Sequence, residues 1–217
     1  MRKFDQSNLE QIGTGYEKNV YDHPDDERKL IAFLKKNEAP RFLKAQYYLT
    51  KIAHMLLPNN VPDIHFAGGE ENQALVVEKK SLDEGHNKTR DNILKFHRTG
   101  VPDIAQADDR EAEVHSDSRY AELRNKFTEL RLSYDHGVSN FGLDKEGNMV
   151  YIDTLYPWES IKDGEVVKSF DKDKLTEAIS TLAPDQQKTA LSYLERLEVL
   201  YQEEVTKSGK EARPQAA

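Results

Sequence analysis

The chain of 217 residues contains no cysteine, which excludes disulfide scaffolds, cysteine nucleophiles and thiolate metal sites. It has no apolar run long enough to span a bilayer, and its start, MRKFDQSNLEQ, lacks the apolar core of a signal peptide. A soluble, cytoplasmic protein with no membrane partner is expected. Basic residues are outnumbered, with 31 Lys and Arg against 39 Asp and Glu, for a net charge of −8. That balance argues against a broad basic face for nucleic acid or anionic lipid, although a local basic patch is compatible with it. His65, His86, His97 and His115 show no metal-site spacing. The only tryptophan, Trp158, suits core packing better than a substrate mouth.

What is present folds. Hydrophobic residues are 37% of the chain and charged ones 32%, and the apolar ones recur with regular periods, enough for one domain or one two-lobed unit. Leu9 to Thr14, Asn19 to Asp22 and Lys29 to Lys35 read as an antiparallel strand meander, with a turn at His23-Pro24-Asp25-Asp26. From Glu38 the period becomes helical, with Phe42, Ala45, Leu49, Ile52, Ala53 and Leu56 on one face, until Pro58-Asn59-Asn60. Ile64 to Ala67 and Ala74 to Lys79 are the next strands. Asp91 to Arg98 reads as a short helix, Gln106 to Ser118 as a solvated acidic loop, and Ser118 to Leu132 as a helix. A second hairpin is expected around Asp163-Gly164. Two helices follow, Lys174 to Leu182 and Asp185 to Val205, the latter with Leu191, Leu194, Leu197 and Tyr201 on one face, and then a polar, disordered tail.

Chemistry concentrates between Ser133 and Trp158. Asp135 is followed five residues later by Asn140, then by a hairpin turning at Lys145-Glu146-Gly147-Asn148, then by Asp153. Phosphoryl transfer needs an acceptor-only group to orient a hydroxyl and take its proton, and oxygen ligands to hold magnesium over the phosphates. Asp135, Asn140 and Asp153 supply that set. The same residues also fit a helix-terminating turn followed by a plain hairpin. Near the start, Gly13-Thr14-Gly15 with Val20 fits either an ordinary hairpin turn or a loop whose amides approach phosphate oxygens. Lys35 is either the solvated end of its strand or, on one face with Ile31 and Phe33, an ammonium aimed at phosphates.

Taken in order, the glycine loop Gly13 to Val20, Lys35, the pair Asp135 and Asn140, and Asp153 resemble the protein-kinase-like superfamily. The likeness is closest to its aminoglycoside phosphotransferase and small-molecule kinase branch. It implies an α+β, two-lobed fold: an N-lobe over 1–80 with a five-stranded antiparallel sheet and one helix, a mainly helical C-lobe over 81–205, and a disordered tail over 206–217. It implies ATP and Mg²⁺ as cofactors, Asp135 as catalytic base, and Asn140 and Asp153 as metal ligands. Gly13, Gly15, Val20 and Lys35 would bind the nucleotide, with Glu78 and Lys80 at a hinge near Glu78 to Ser81. The chain departs from the pattern at several points: Lys18 stands in place of the loop's third glycine, and no Ala-Pro-Glu element follows Asp153. Ser133 and Tyr134 stand where histidine or histidine-arginine is usual, and Thr154-Leu155 stand after the metal aspartate in place of Phe-Gly. The helix after Lys35 has no glutamate to hold that lysine, Gln46 being its nearest polar substitute. Two functions are consistent with these residues: an ATP-dependent phosphotransferase acting on a hydroxyl-bearing substrate, and a pseudokinase that binds nucleotide or a protein without efficient turnover.

Overall fold

The computed structural model describes residue 4 and residues 6–14, 18–35, 40–68, 73–89, 91, 111–160 and 165–211. The chain is an α+β protein built on a five-stranded antiparallel sheet. β1 (Gln11–Thr14), β2 (Lys18–Asp22) and β3 (Lys29–Leu34) form the expected meander. β5 (Ala74–Glu78) pairs with β3 and leaves β4 (Ile64–Ala67) at the edge, giving the order β1-β2-β3-β5-β4.

β3 lies at the centre because it is apolar on both faces, with Ile31, Ala32 and Phe33 all buried. Its register with β2 opposes Lys18 to Leu34 and Val20 to Ala32 on one face, and Asn19 to Phe33 and Tyr21 to Ile31 on the other. The face with Tyr21, Ile31 and Phe33 packs on Phe4 and Leu9. The face with Val20, Ala32 and Leu34 packs on Leu43 and Tyr47 of α1 (Pro40–Leu56).

α1 begins with Pro40, whose missing N–H is no loss in a first turn, and it stops before Pro58. It is apolar on more than one side. Leu43 meets the sheet, whereas Ala45, Leu49, Ile52 and Ala53 join the large core formed with the second half of the chain. A helix apolar on several sides is an interior helix. Each fully buried Leu or Ile contributes roughly 1.5–3 kcal/mol, so α1 is what fastens the sheet to the helical remainder.

That remainder consists of helical residues 84–89 (α2) and 111–116 (α3), then α4 (Ser118–Glu129), α5 (Lys172–Ile179) and α6 (Pro184–Glu211). Two hairpins lie among them: β6 (Phe141–Leu143) with β7 (Met149–Tyr151), and β8 (Trp158–Ser160) with β9 (Val166–Lys168). The first turns at Gly147, whose φ of 81° is one that side chains rarely adopt. Asp117 and Asp171 cap α4 and α5 by accepting N–H bonds of the first turn. Trp158 is buried against Phe42, edge to face, so it is a core residue.

Three expectations from sequence are corrected. The last helix runs beyond Val205 to Glu211, so residues 206–211 are helical, because extending an anchored helix adds one hydrogen bond per residue fixed. Residues 111–116 of the acidic stretch are also helical, anchored by Val114, which is 2% exposed. On α6 the buried position is Ala190, while Leu191 faces solvent. Residues 106–110, the expected helix after Asp91, and residues 212–217 lie outside the described residues. No helix among those described is long and apolar enough to cross a membrane.

Candidate functional site

The short β6–β7 hairpin is the platform of the site. Asp135 precedes it in an extended segment, Asn140 closes a 3₁₀ turn (Val138–Asn140), and Asp153 follows β7. The Asn140 carbonyl accepts the Ile152 N–H at 2.9 Å, which sets Asp153 beside Asn140. Asp135 Oδ1 accepts the Gly137 N–H at 2.8 Å. A methyl placed on Gly137 would lie 3.2 Å from that Asp135 oxygen and 3.5 Å from Asn140 Nδ2, so both side chains border one small space beside Gly137. Asp135 itself is exposed and Asp153 half-buried.

Tyr151 locks this arrangement from beneath. Its ring is fully buried, and its hydroxyl accepts the Asp135 N–H at 3.2 Å while donating to the Thr154 carbonyl at 3.4 Å. Burial, reinforced by the nearby Asp153 carboxylate, holds the phenol well above its ordinary range, so it stays a neutral donor. Tyr151→Phe is expected to cost about 1 kcal/mol. The denaturant midpoint should fall with an unchanged m-value, and an unchanged midpoint would remove the structural role.

The sheet contributes Lys18, the first residue of β2. Its side chain is only 9% exposed, and its ammonium lies 3.2 Å from Asp153 Oδ1. It also donates to Gln46 Oε1 on α1 at 3.4 Å and to Thr154 Oγ1. A buried ammonium is tolerated only when paired and hydrogen-bonded. These three oxygens come from α1 and from the segment after β7, so Lys18 draws the sheet, α1 and the site together. α1 makes a second tie through Thr50, whose hydroxyl accepts the Leu155 N–H at 3.0 Å. The segment after β5 docks on β6, where Asp83 exchanges two hydrogen bonds with Leu143, at 2.9 and 2.7 Å.

Of the residues singled out in the sequence, Asp135, Asn140 and Asp153 are brought together. Gly13 sits on β1 opposite Val20, with a register shift between Gln11 and Gly13, and Thr14 Oγ1 bonds Asn19 Oδ1 at 2.9 Å across the hairpin. Gly15 lies outside the described residues. Lys35 is half-buried one residue past β3, and Ile31 and Phe33, with which it alternates, lie on the face away from α1. Glu78 and Lys80 pair at 2.8 Å. Burial raises the Glu78 carboxyl, but Lys80 and the Asp63 N–H outweigh it and hold it below its ordinary value.

Sequence reasoning did not single out Lys18, Tyr151, Thr50 or Thr154. A signal for Lys18 did exist: it shares strand parity with Val20, so any face holding Val20 holds Lys18. Gln46, read as the polar residue of the helix, is indeed a lysine partner, but of Lys18.

Oxygen-only donors such as Asp153 and Asn140 suit magnesium, which takes one or two protein carboxylates plus phosphate oxygens. Among the described residues no cluster of three or more His, Cys, Asp or Glu side chains could hold a metal without such help. No family model matches the sequence, and no curated protein matches it either.

Proposed function

We propose that the chain is an ATP- and magnesium-dependent phosphotransferase acting on a hydroxyl group, with a two-lobed, kinase-like arrangement of sheet and helices. The observation that carries this reading is the pairing of buried Lys18 with half-buried Asp153, beside the Asp135–Asn140 loop. A lysine and an acidic residue meeting at the junction of sheet and helical region is what a polyphosphate needs, since one group meets phosphate and the other its metal. In this reading Lys18, and not Lys35, braces the phosphates. Asn140 and Asp153 would hold magnesium, which when bound offsets phosphate charge. Asp135, an exposed carboxylate fixed by the Gly137 N–H, orients the acceptor hydroxyl and takes its proton. The β1–β2 hairpin covers the nucleotide, and the hinge contains Glu78 and Lys80.

The test is calorimetric titration of ATP with and without magnesium, on wild type and on Asp153→Ala. Magnesium should strengthen binding in wild type, and the variant should lose that gain. Equal magnesium dependence in both proteins would remove the metal assignment. The neutral Gln46 beside Lys18 favours a second reading, a nucleotide-binding module without efficient turnover, because a neutral acceptor holds the ammonium less firmly than a carboxylate would. Magnesium-dependent binding with no ATP consumption across a screen of hydroxyl acceptors would select that reading.

A further inference from the structure

A cleft of about 590 Å³ opens beside the loop that holds Asp135. Its walls come from the end of α4, the loop itself and the end of β9, and they present Arg124, Arg131, His136 and Lys168. In a chain of net charge −8 such a concentration of cationic groups is unexpected. Asp171 is the only carboxylate among the described lining residues, and it is engaged in capping α5, accepting the Asp173 and Lys174 N–H groups at 3.0 Å each. Lys168 is shared with Glu198, and Arg124 lies over the Tyr120 ring at 5.7 Å. Asp171 keeps its charge and lies near enough for Arg131 to act on it, so the three permanent cations outweigh Asp171 and Glu198 by one charge, carried by the two guanidinium groups.

Arg131 carries the second observation. α4 ends in a Schellman turn, with the Arg131 N–H on the Thr128 carbonyl at 3.1 Å and the Leu132 N–H on the Phe127 carbonyl at 2.9 Å. The residue in that position takes left-handed backbone, and here φ is 54°. Glycine is the usual occupant, and Arg131 is the one non-glycine residue with positive φ among those described. A side chain kept where the backbone favours having none is a local rule broken, and such breaks gather at functional sites. What this side chain does is line the cleft.

The cleft and the candidate base share one wall. Tyr134 and His136 line the cleft, with ring centroids 4.2 Å apart, while Asp135 between them turns its carboxylate toward Gly137 and Asn140. We infer that the cleft docks a phosphate or carboxylate carried by the phosphoacceptor, so that the substrate is a small anionic molecule whose hydroxyl reaches past the loop to Asp135. This rests on the phosphotransferase reading. Guanidinium groups suit the task because their fork of N–H donors matches phosphate and carboxylate oxygens.

The experiment uses the full chain and inorganic phosphate as probe, followed by the ring signals of His136 in NMR, on wild type and Arg131→Gly. Saturable phosphate binding is expected, weakened about tenfold or more in Arg131→Gly, although that variant should melt at a higher temperature because glycine relieves the left-handed backbone. Weaker binding in a more stable protein is a result that a purely structural arginine would not give. Equal phosphate binding in both proteins, or none in wild type, overturns the site. Magnesium-ATP affinity, measured alongside, should be the same in both, which separates the cleft from the nucleotide site. In a turnover assay, hydroxyl compounds bearing phosphate or carboxylate should show kcat/KM about tenfold or more above uncharged counterparts, with the gap closed in Arg131→Gly. Inorganic phosphate should compete with the acceptor and not with ATP. Phosphate bound in the cleft without acceptor preference or competition would mark a free-anion site and overturn the acceptor assignment. Absence of magnesium-ATP binding would sink the phosphotransferase reading and this assignment with it, while the anion titration would stand by itself.

Discussion

Asp135→Asn is expected to lower turnover by about 10²–10⁴-fold, the usual contribution of a positioned general base, while leaving magnesium-ATP affinity close to that of wild type. The split follows from geometry. Asp135 is exposed and anchored to its own loop, accepting the Gly137 N–H, whereas Asp153 is paired with Lys18. The amide can still accept that N–H through its oxygen, so the loop keeps its shape. Lost is the acceptor for the hydroxyl proton. Single-turnover measurement with saturating ATP reads the effect, because it isolates the chemical step. A variant that turns over at the wild-type rate would remove Asp135 from catalysis and transfer the assignment to a different base.

Lys18→Met is expected to weaken ATP binding roughly ten- to a hundredfold, the range for losing a hydrogen bond to a charged partner. Lys35→Met should change it little. The two variants compare strands that are adjacent in the sheet and differ in which face their lysine occupies. Lys18→Met should also destabilise the protein by about 1–3 kcal/mol, because Gln46 is fully buried and its oxygen would lose the Lys18 donor. Asp153, which keeps 30% of its side chain in water, is the less costly partner to strand. Titration calorimetry and thermal unfolding on the same samples separate the two effects. If Lys35→Met is the damaging change and Lys18→Met is neutral, the phosphate brace belongs to β3 after all.

These expectations also indicate what the sequence discloses. The succession of strands was legible because each is a short apolar run closed by a turn signal, and α1 because its apolar positions recur with a helical period. The Asp135, Asn140 and Asp153 set was legible for a local reason: all three flank one short hairpin, so their proximity is fixed by neighbours in the chain. Lys18 was not. Its role depends on which face of the sheet α1 covers, and β3 could not tell, since Ile31, Ala32, Phe33 and Leu34 are apolar whichever way they point. Alternation identifies the inner face only when the outer face is polar. Tyr151 was hidden for a related reason. Within Met149-Val150-Tyr151 it reads as one more apolar strand residue, and its hydroxyl finds Asp135 and Thr154 only after the chain has closed. The cationic cleft was hidden by averaging, because a whole-chain charge of −8 says nothing about where Arg124, Arg131 and Lys168 converge in space.

The double burial of α1 has a consequence for the order in which the molecule can be made. The sheet and α1 leave the ribosome early, yet part of α1's apolar surface finds its partner only in α6, at Pro184–Glu211. Until then Ala45, Leu49, Ile52 and Ala53 have no complete core to join, and the nascent sheet carries a helix with uncovered apolar surface. Contacts between segments so far apart in sequence form late and slowly. Gln46 and Thr50 lie on this same helix, so their bonds to Lys18 and to the Leu155 N–H are made by an element whose final packing waits for α6.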